Sequence, residues 1–167
     1  MAPSFHDQEP PENPVRFKGQ RPPGVADKRF ASAYLFAAVR PATGEDFALV
    51  LPHVSTAAMS RFLADFAQTL PEDTHAVMVL DQAGWHAAKA LRVPENVTLV
   101  PLPPYSPDLN PVERVWLYLR ERFLSHRLWA DYEAVVDACC AAWNALTAEA
   151  GRLRSLNPYP YLKQVKL

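Results

Sequence analysis

AVMVLDQAGWH (Ala76–His86) and LPPYSPDLNPVERVW (Leu102–Trp116) decide the fold of this chain. The first is a continuous apolar run that stops abruptly at Asp81. Such a run reads as a strand buried on both faces, as in a parallel sheet. The second leads through a proline-rich loop into a helix, with Asn110 as its cap, Pro111 as its first helical residue and Glu113 as its third. Between them, Ala83–Leu91 reads as a short helical stretch and Val97–Leu102 as another buried strand. Strand, helix and strand in that order imply a right-handed parallel crossover.

Working outward, FASAYLFAAV (Phe30–Val39) and FALVLP (Phe47–Pro52) are two strands joined by the turn residues PATGED, which reads as a hairpin. Ser55 or Thr56 caps a helix whose residues Met59, Phe62, Leu63, Phe66 and Leu70 share one apolar face, and Pro71 ends it. Downstream, Val112, Val115, Trp116, Leu119 and Phe123 form the buried stripe of the Glu113 helix. A last helix covers Asp131–Leu146, with Tyr132, Val135, Val136, Cys139, Trp143 and Leu146 on one side. No internal repeat is present.

Composition bounds the function. At 167 residues and 49% hydrophobic, the chain is long enough for one core. No apolar run approaches the roughly 18–20 residues of a membrane span, and the N-terminus has no basic region followed by an apolar stretch. Cys139 and Cys140 are adjacent, which is neither a disulfide framework nor a metal spacing, so a reducing cytoplasm is the expected location. The net charge of −1 excludes a strongly basic DNA-coating protein but leaves room for a local basic patch. Seventeen prolines concentrate in residues 3–23 and 94–111. We expect a proline-rich, poorly ordered arm over residues 1–28, a globular core over 29–156 and a basic tail over 157–167.

The chemistry centres on two acids. An Asp at the C-terminal end of a strand in an α/β sheet lies where ligands bind. Its structural alternative is to cap the short helix that follows. Glu113 has an equally good structural alternative, because Asn-Pro-Val-Glu is close to a capping box in which the Glu bonds back to the cap N–H. The rigid text leading into this helix favours accurate placement of a particular side chain. Paired carboxylates suit Mg²⁺, a hard ion that prefers oxygen ligands, and two such ions can serve an in-line phosphodiester displacement. His86, Asp108 and Asn110 are candidate supporting residues; a hydrogen-bonded structural His and a turn-organising Asp are the alternatives. Lys89, Arg92, Arg114 and Arg120 are candidate DNA contacts, with Arg122, His126 and Arg127 extending the basic exit of the helix. A solvated helix face is the other reading. Trp116 and Trp143 lie on apolar stripes and read as core.

LDQAGWH followed by LPPYSPDLNPVERVW resembles the catalytic core of mariner-type transposases in their bacterial insertion-sequence branch, a DDE superfamily endonuclease domain. The resemblance runs from about Gly19 to near Leu156. It implies an α/β fold similar to ribonuclease H, a mixed sheet flanked by helices. It implies Mg²⁺- or Mn²⁺-dependent DNA cleavage and strand transfer at element ends, with a two-metal site. Asp81 matches the family's second catalytic acid and Glu113 its third. The implied partner is DNA bearing terminal inverted repeats, with nucleoid association when bound, and no membrane. The first acid is expected at the end of a strand preceding GQRP. That place holds SFHDQEPPENPVRFKG, where Asp7 and Glu9 lack a preceding apolar strand and prolines oppose pairing.

The chain therefore reads as a truncated catalytic portion without the upstream helix-turn-helix, missing or replacing its first central strand, and inactive or impaired alone. A second transposase chain or an upstream half is the expected source of the missing part. A non-catalytic remnant that binds DNA or transposase, and another ribonuclease H-like nuclease, are the alternative functions.

Overall fold

In a computed structural model of the chain, the described residues are 32–84, 89–104, 106, 109–125, 127 and 129–157. They form a mixed α/β structure of two small sheets flanked by helices. Strand β1 (Tyr34–Val39) pairs antiparallel with β2 (Asp46–Leu51), in a register that sets Tyr34 opposite Leu51 and Val39 opposite Asp46. The turn between them closes through Gly44, whose φ of +82° suits a residue without a Cβ and whose N–H donates to the Arg40 carbonyl at 2.8 Å.

Helix α1 (Thr56–Thr69) follows. Its cap is Ser55, whose hydroxyl accepts from Ala58 N–H at 3.1 Å. Strands β3 (Ala76–Leu80) and β4 (Val97–Pro101) then pair in parallel, with Ala76 opposite Val97 and Leu80 opposite Pro101. Helix α2 (Val112–Leu119) runs into a π-helical turn over Arg120–Leu124, closed by Ser125 N–H to Arg120 O at 2.7 Å. Helix α3 (Tyr132–Ala148) is capped by Asp131, and α4 (Arg152–Leu156) follows after Gly151.

Side-chain alternation along the hairpin builds two cores. On one face Phe36, Ala38, Phe47 and Leu49 pack against a cluster of Met59, Phe62, Leu63, Leu80 and Val97. Met78 and Leu99 join the same cluster, so both strand pairs lay one face on α1. On the other face Leu35, Ala37, Val39 and Ala48 meet Val115, Leu119, Ala142, Trp143, Leu146 and Leu153 of α2, α3 and α4. The hairpin is thus covered on both sides, as residues of period 2 require when neither face is wet.

The β3–β4 pair differs. Val77 and Val100, on the side away from α1, are 37% and 40% exposed. The expectation of burial on both faces fails here, because α2, α3 and α4 cover the hairpin and not this pair. The expected helix over Ala83–Leu91 is also not seen at its described ends, where Gly84, Lys89 and Ala90 lie in turns. Its middle lies outside the described residues. Tyr132, expected in the α3 stripe, is 37% exposed, and Ala142 is buried there instead. No periodicity in the sequence marks helix α4, whose Leu153 completes the second core.

The two strand pairs are separate sheets among the described residues. The expected central strand between them is not among those residues. The proline-rich arm, Asp7, Glu9 and the text around Gly19 lie outside them, as does the tail beyond Asn157.

Candidate functional site

The parallel register carries β3 and β4 out of the sheet at the same end, where Leu102 N–H donates to Leu80 O at 2.8 Å. Asp81 is the next residue after β3 and is exposed. Its Oδ1 accepts from Ala83 N–H at 3.1 Å, an Asx turn that sends the chain away from the sheet. Gln82 ties the same corner to the outgoing segment, its Nε2 donating to Leu102 O at 2.9 Å. The residues leading to α2 are therefore anchored to the strand end that presents Asp81.

Asn110 fixes the start of α2 from a buried position. Its Oδ1 accepts from Val112 N–H at 3.3 Å and its carbonyl from Glu113 N–H at 3.2 Å. The helix begins at Val112, with Pro111 already in helical conformation at φ −58° and ψ −30°. This is one residue later than the sequence suggests, within the ordinary uncertainty of helix ends. Glu113 falls in the first turn, where a negative charge is favoured by the helix dipole. Its carboxylate accepts no hydrogen bond among the described residues. The capping box that would explain it as a structural residue is not formed there.

The charge of Asp81 reaches Glu113. Partial burial pushes the Glu113 carboxyl above the usual carboxylate range, and the charge of Asp81 pushes it further. Glu113 as a whole is exposed, so its surface position and the shielding of its carboxyl pull in opposite directions. The shielding is local to the carboxyl and is the larger cause of the shift. Two carboxylates from a strand end and a helix start, distant in sequence, thus lie within electrostatic reach of each other. Among the described residues no group of three or more His, Cys, Asp or Glu side chains could hold a metal ion.

The other candidates are placed differently. Lys89 is exposed in a turn, and Arg92 is exposed in an irregular segment, so the helical spacing assumed for them is absent. Arg92 N–H donates to Ser60 Oγ at 3.1 Å, and its segment forms with α1 a groove lined by Ser60, Arg61, Arg92, Val93 and Pro94. Arg114 and Arg120 are exposed on α2 and at the beginning of the π turn. Arg120 follows Glu113 by seven residues, about two turns and roughly 10 Å along the axis, so the two lie on one face. Arg122 is used structurally, 3.6 Å from Glu149. His86, Asp108 and His126 lie outside the described residues. Trp143 is core, and its indole N–H donates to Asp46 Oδ1 at 2.8 Å; Trp116 packs beside it, ring centroids 6.3 Å apart.

Two residues escaped sequence reasoning. Gln82 and Glu149 act through contacts distant in sequence, and no local pattern marks either.

The sequence matches the family model of the DDE superfamily endonuclease over residues 3–136. The chain belongs to the DDE superfamily of endonucleases. The match to this DDE endonuclease family includes both Asp81 and Glu113, and it begins well before Gly19, ahead of the described residues. The uncharacterized protein y4pE/y4sA of Sinorhizobium fredii (strain NBRC 101917 / NGR234) is 48% identical over 124 residues, covering 74% of this chain and 92% of that protein. No solved structure matches the chain. No helix among the described residues is long and apolar enough to cross a membrane.

Proposed function

We propose that this DDE endonuclease chain is the catalytic portion of a mariner-type transposase of the bacterial insertion-sequence branch, acting on DNA at element ends. Its fold is a ribonuclease H-like variant, with helices on both sides of the hairpin. The observation that carries the reading is the pairing of Asp81 with Glu113 from two distant elements. Two like charges in electrostatic reach, one held above its ordinary range, form a place that a cation relieves. Hard carboxylate oxygens fit Mg²⁺ or Mn²⁺. When bound, such an ion supplies charge stabilisation to a phosphodiester and activates the attacking oxygen.

The chain's own groups have separate tasks in this reading. Asp81 and Glu113 hold the metal. Asn110 sets the start of α2 and so the position of Glu113. Lys89, Arg92, Arg114 and Arg120 meet DNA phosphates, and His86 and Asp108 support the site. Two carboxylates hold a divalent ion weakly, and the described residues offer no third. A further acid from a second transposase chain completes the site. The chain alone is accordingly inactive or severely impaired in cleavage.

A duplex carrying terminal inverted repeats, incubated with the chain and Mg²⁺ or Mn²⁺, tests this. Little or no nicking is expected from the chain by itself, and any activity is lost in Asp81→Asn and Glu113→Gln. Robust cleavage by the chain alone that both substitutions abolish contradicts the impairment but keeps the site. Cleavage indifferent to both substitutions sinks the site.

A second reading is a non-catalytic partner that binds DNA through the exposed Arg114 and Arg120 of α2 and its π turn. It predicts binding that survives both substitutions and weakens steeply with salt.

A further inference from the structure

The one dense polar network among the described residues lies at the far end of α2 from Glu113. Glu149, just after α3, accepts from the Tyr118 hydroxyl at 2.9 and 3.0 Å and from Arg152 Nε at 2.7 Å, with Arg122 Nε at 3.6 Å. Both guanidinium groups flank the Tyr118 ring, Arg152 at 5.3 Å and Arg122 at 5.9 Å from its centroid. Hydrogen bonds from Arg152 and Tyr118 hold the Glu149 carboxyl below its ordinary range. One carboxylate thus joins α2, the π turn and α4.

The two residues it grips from the α2 side, Tyr118 and Arg122, bracket Arg120. At Arg120 the backbone changes character: its N–H donates back to Trp116 and Leu117 as the last regular turn, while its carbonyl accepts from Ser125 as the first wide one. π turns are rare and cluster at functional positions. Here the wide turn lets Phe123 and Leu124 both pack on the core while Arg120 stays on the exposed face that Glu113 begins. The side chain of Arg120 makes no hydrogen bond or ion pair among the described residues.

We infer that Glu149 is a positioning residue, whose grip on Tyr118 and Arg122 holds the π turn that presents Arg120 to a nucleic-acid phosphate on the helix face that Glu113 begins. The inference rests on the proposed action on DNA. It adds a residue that touches neither metal nor DNA.

A double-mutant cycle tests it, with binding of the full chain to a short fluorescent duplex followed across a salt series. Arg120→Ala lowers the salt slope by about 1, the loss of one phosphate contact. Glu149→Gln lowers it by nearly the same amount in the parent chain and by nothing further in the Arg120→Ala background. A purely structural role would lower thermal stability equally in both backgrounds and leave the slope unchanged. Tyr118→Phe, which removes only the hydroxyl, repeats the comparison should Glu149→Gln fold poorly. Additive effects of Glu149→Gln and Arg120→Ala, or no effect of Glu149→Gln and Tyr118→Phe on the slope, overturn the inference while leaving the DNA reading intact. Failure of the unsubstituted chain to bind DNA overturns both.

Discussion

Asp81 raises the proton affinity of Glu113 across the junction between the end of β3 and the start of α2, adding to the effect of partial burial. The two acids therefore repel in the folded chain. In the unfolded chain they are separated and do not.

That repulsion gives a stability signature with a definite sign. The Glu113 carboxyl titrates higher in the folded state than in the unfolded one. Its favourable contribution is fully present below its unfolded pKa and is lost as pH rises through its folded pKa. Glu113→Gln should therefore stabilise the chain at neutral pH, by less than about 1 kcal/mol for so exposed a pair. The gain should fade as the pH is lowered into the carboxylate range. Thermal melts of both proteins between neutral and acidic pH check this. A gain that grows on acidification contradicts it.

Phe62 is the point where both strand pairs meet α1. Its ring lies 5.8 Å from that of Phe36 and 5.5 Å from that of Phe47, and it shares a cluster with Leu80 and Val97. Phe62→Ala should cost about 3–5 kcal/mol. That is a large share of the roughly 5–15 kcal/mol of a typical domain. Phe62→Leu should cost clearly less, because most of the volume is kept. Urea denaturation of the two variants measures the difference.

On the opposite face, Trp143→Phe removes the indole N–H that Asp46 accepts together with part of a buried ring. The expected loss is about 1–3 kcal/mol, the net worth of an ordinary hydrogen bond, since Asp46 is exposed and water can replace the donor, plus the packing lost with the smaller ring. Trp143→Ala should cost about 3–5 kcal/mol through the cavity it leaves. Equal losses for the two variants in chemical denaturation would mean that the hydrogen bond, and not the packing, holds α3 to β2.

The sequence is a good guide where periodicity or capping chemistry is local. Ser55 caps its helix as its residue type requires, and Met59, Phe62 and Leu63 are buried as their spacing requires. It misleads where burial depends on what else is nearby. Val77 and Val100 belong to apolar runs like those of a fully covered sheet, yet nothing among α2, α3 and α4 covers them. Lys89 and Arg92 have helical spacing but lie in irregular backbone, since Arg92 N–H bonds instead to Ser60 on α1.

The same distinction runs through the candidate site. Asp81 and Glu113 stand out in sequence through their flanking residues, whereas their proximity is a tertiary fact. Glu149 was invisible because its partners Tyr118, Arg122 and Arg152 come from three segments.

The central claim is that Asp81 and Glu113 together bind a divalent ion. Calorimetric titration of the full chain with Mn²⁺ alone tests it without requiring DNA or turnover. The account predicts weak binding that both Asp81→Asn and Glu113→Gln abolish, with release of heat lost in each variant while the fold is kept. Mn²⁺ binding that persists unchanged in both folded variants would contradict it.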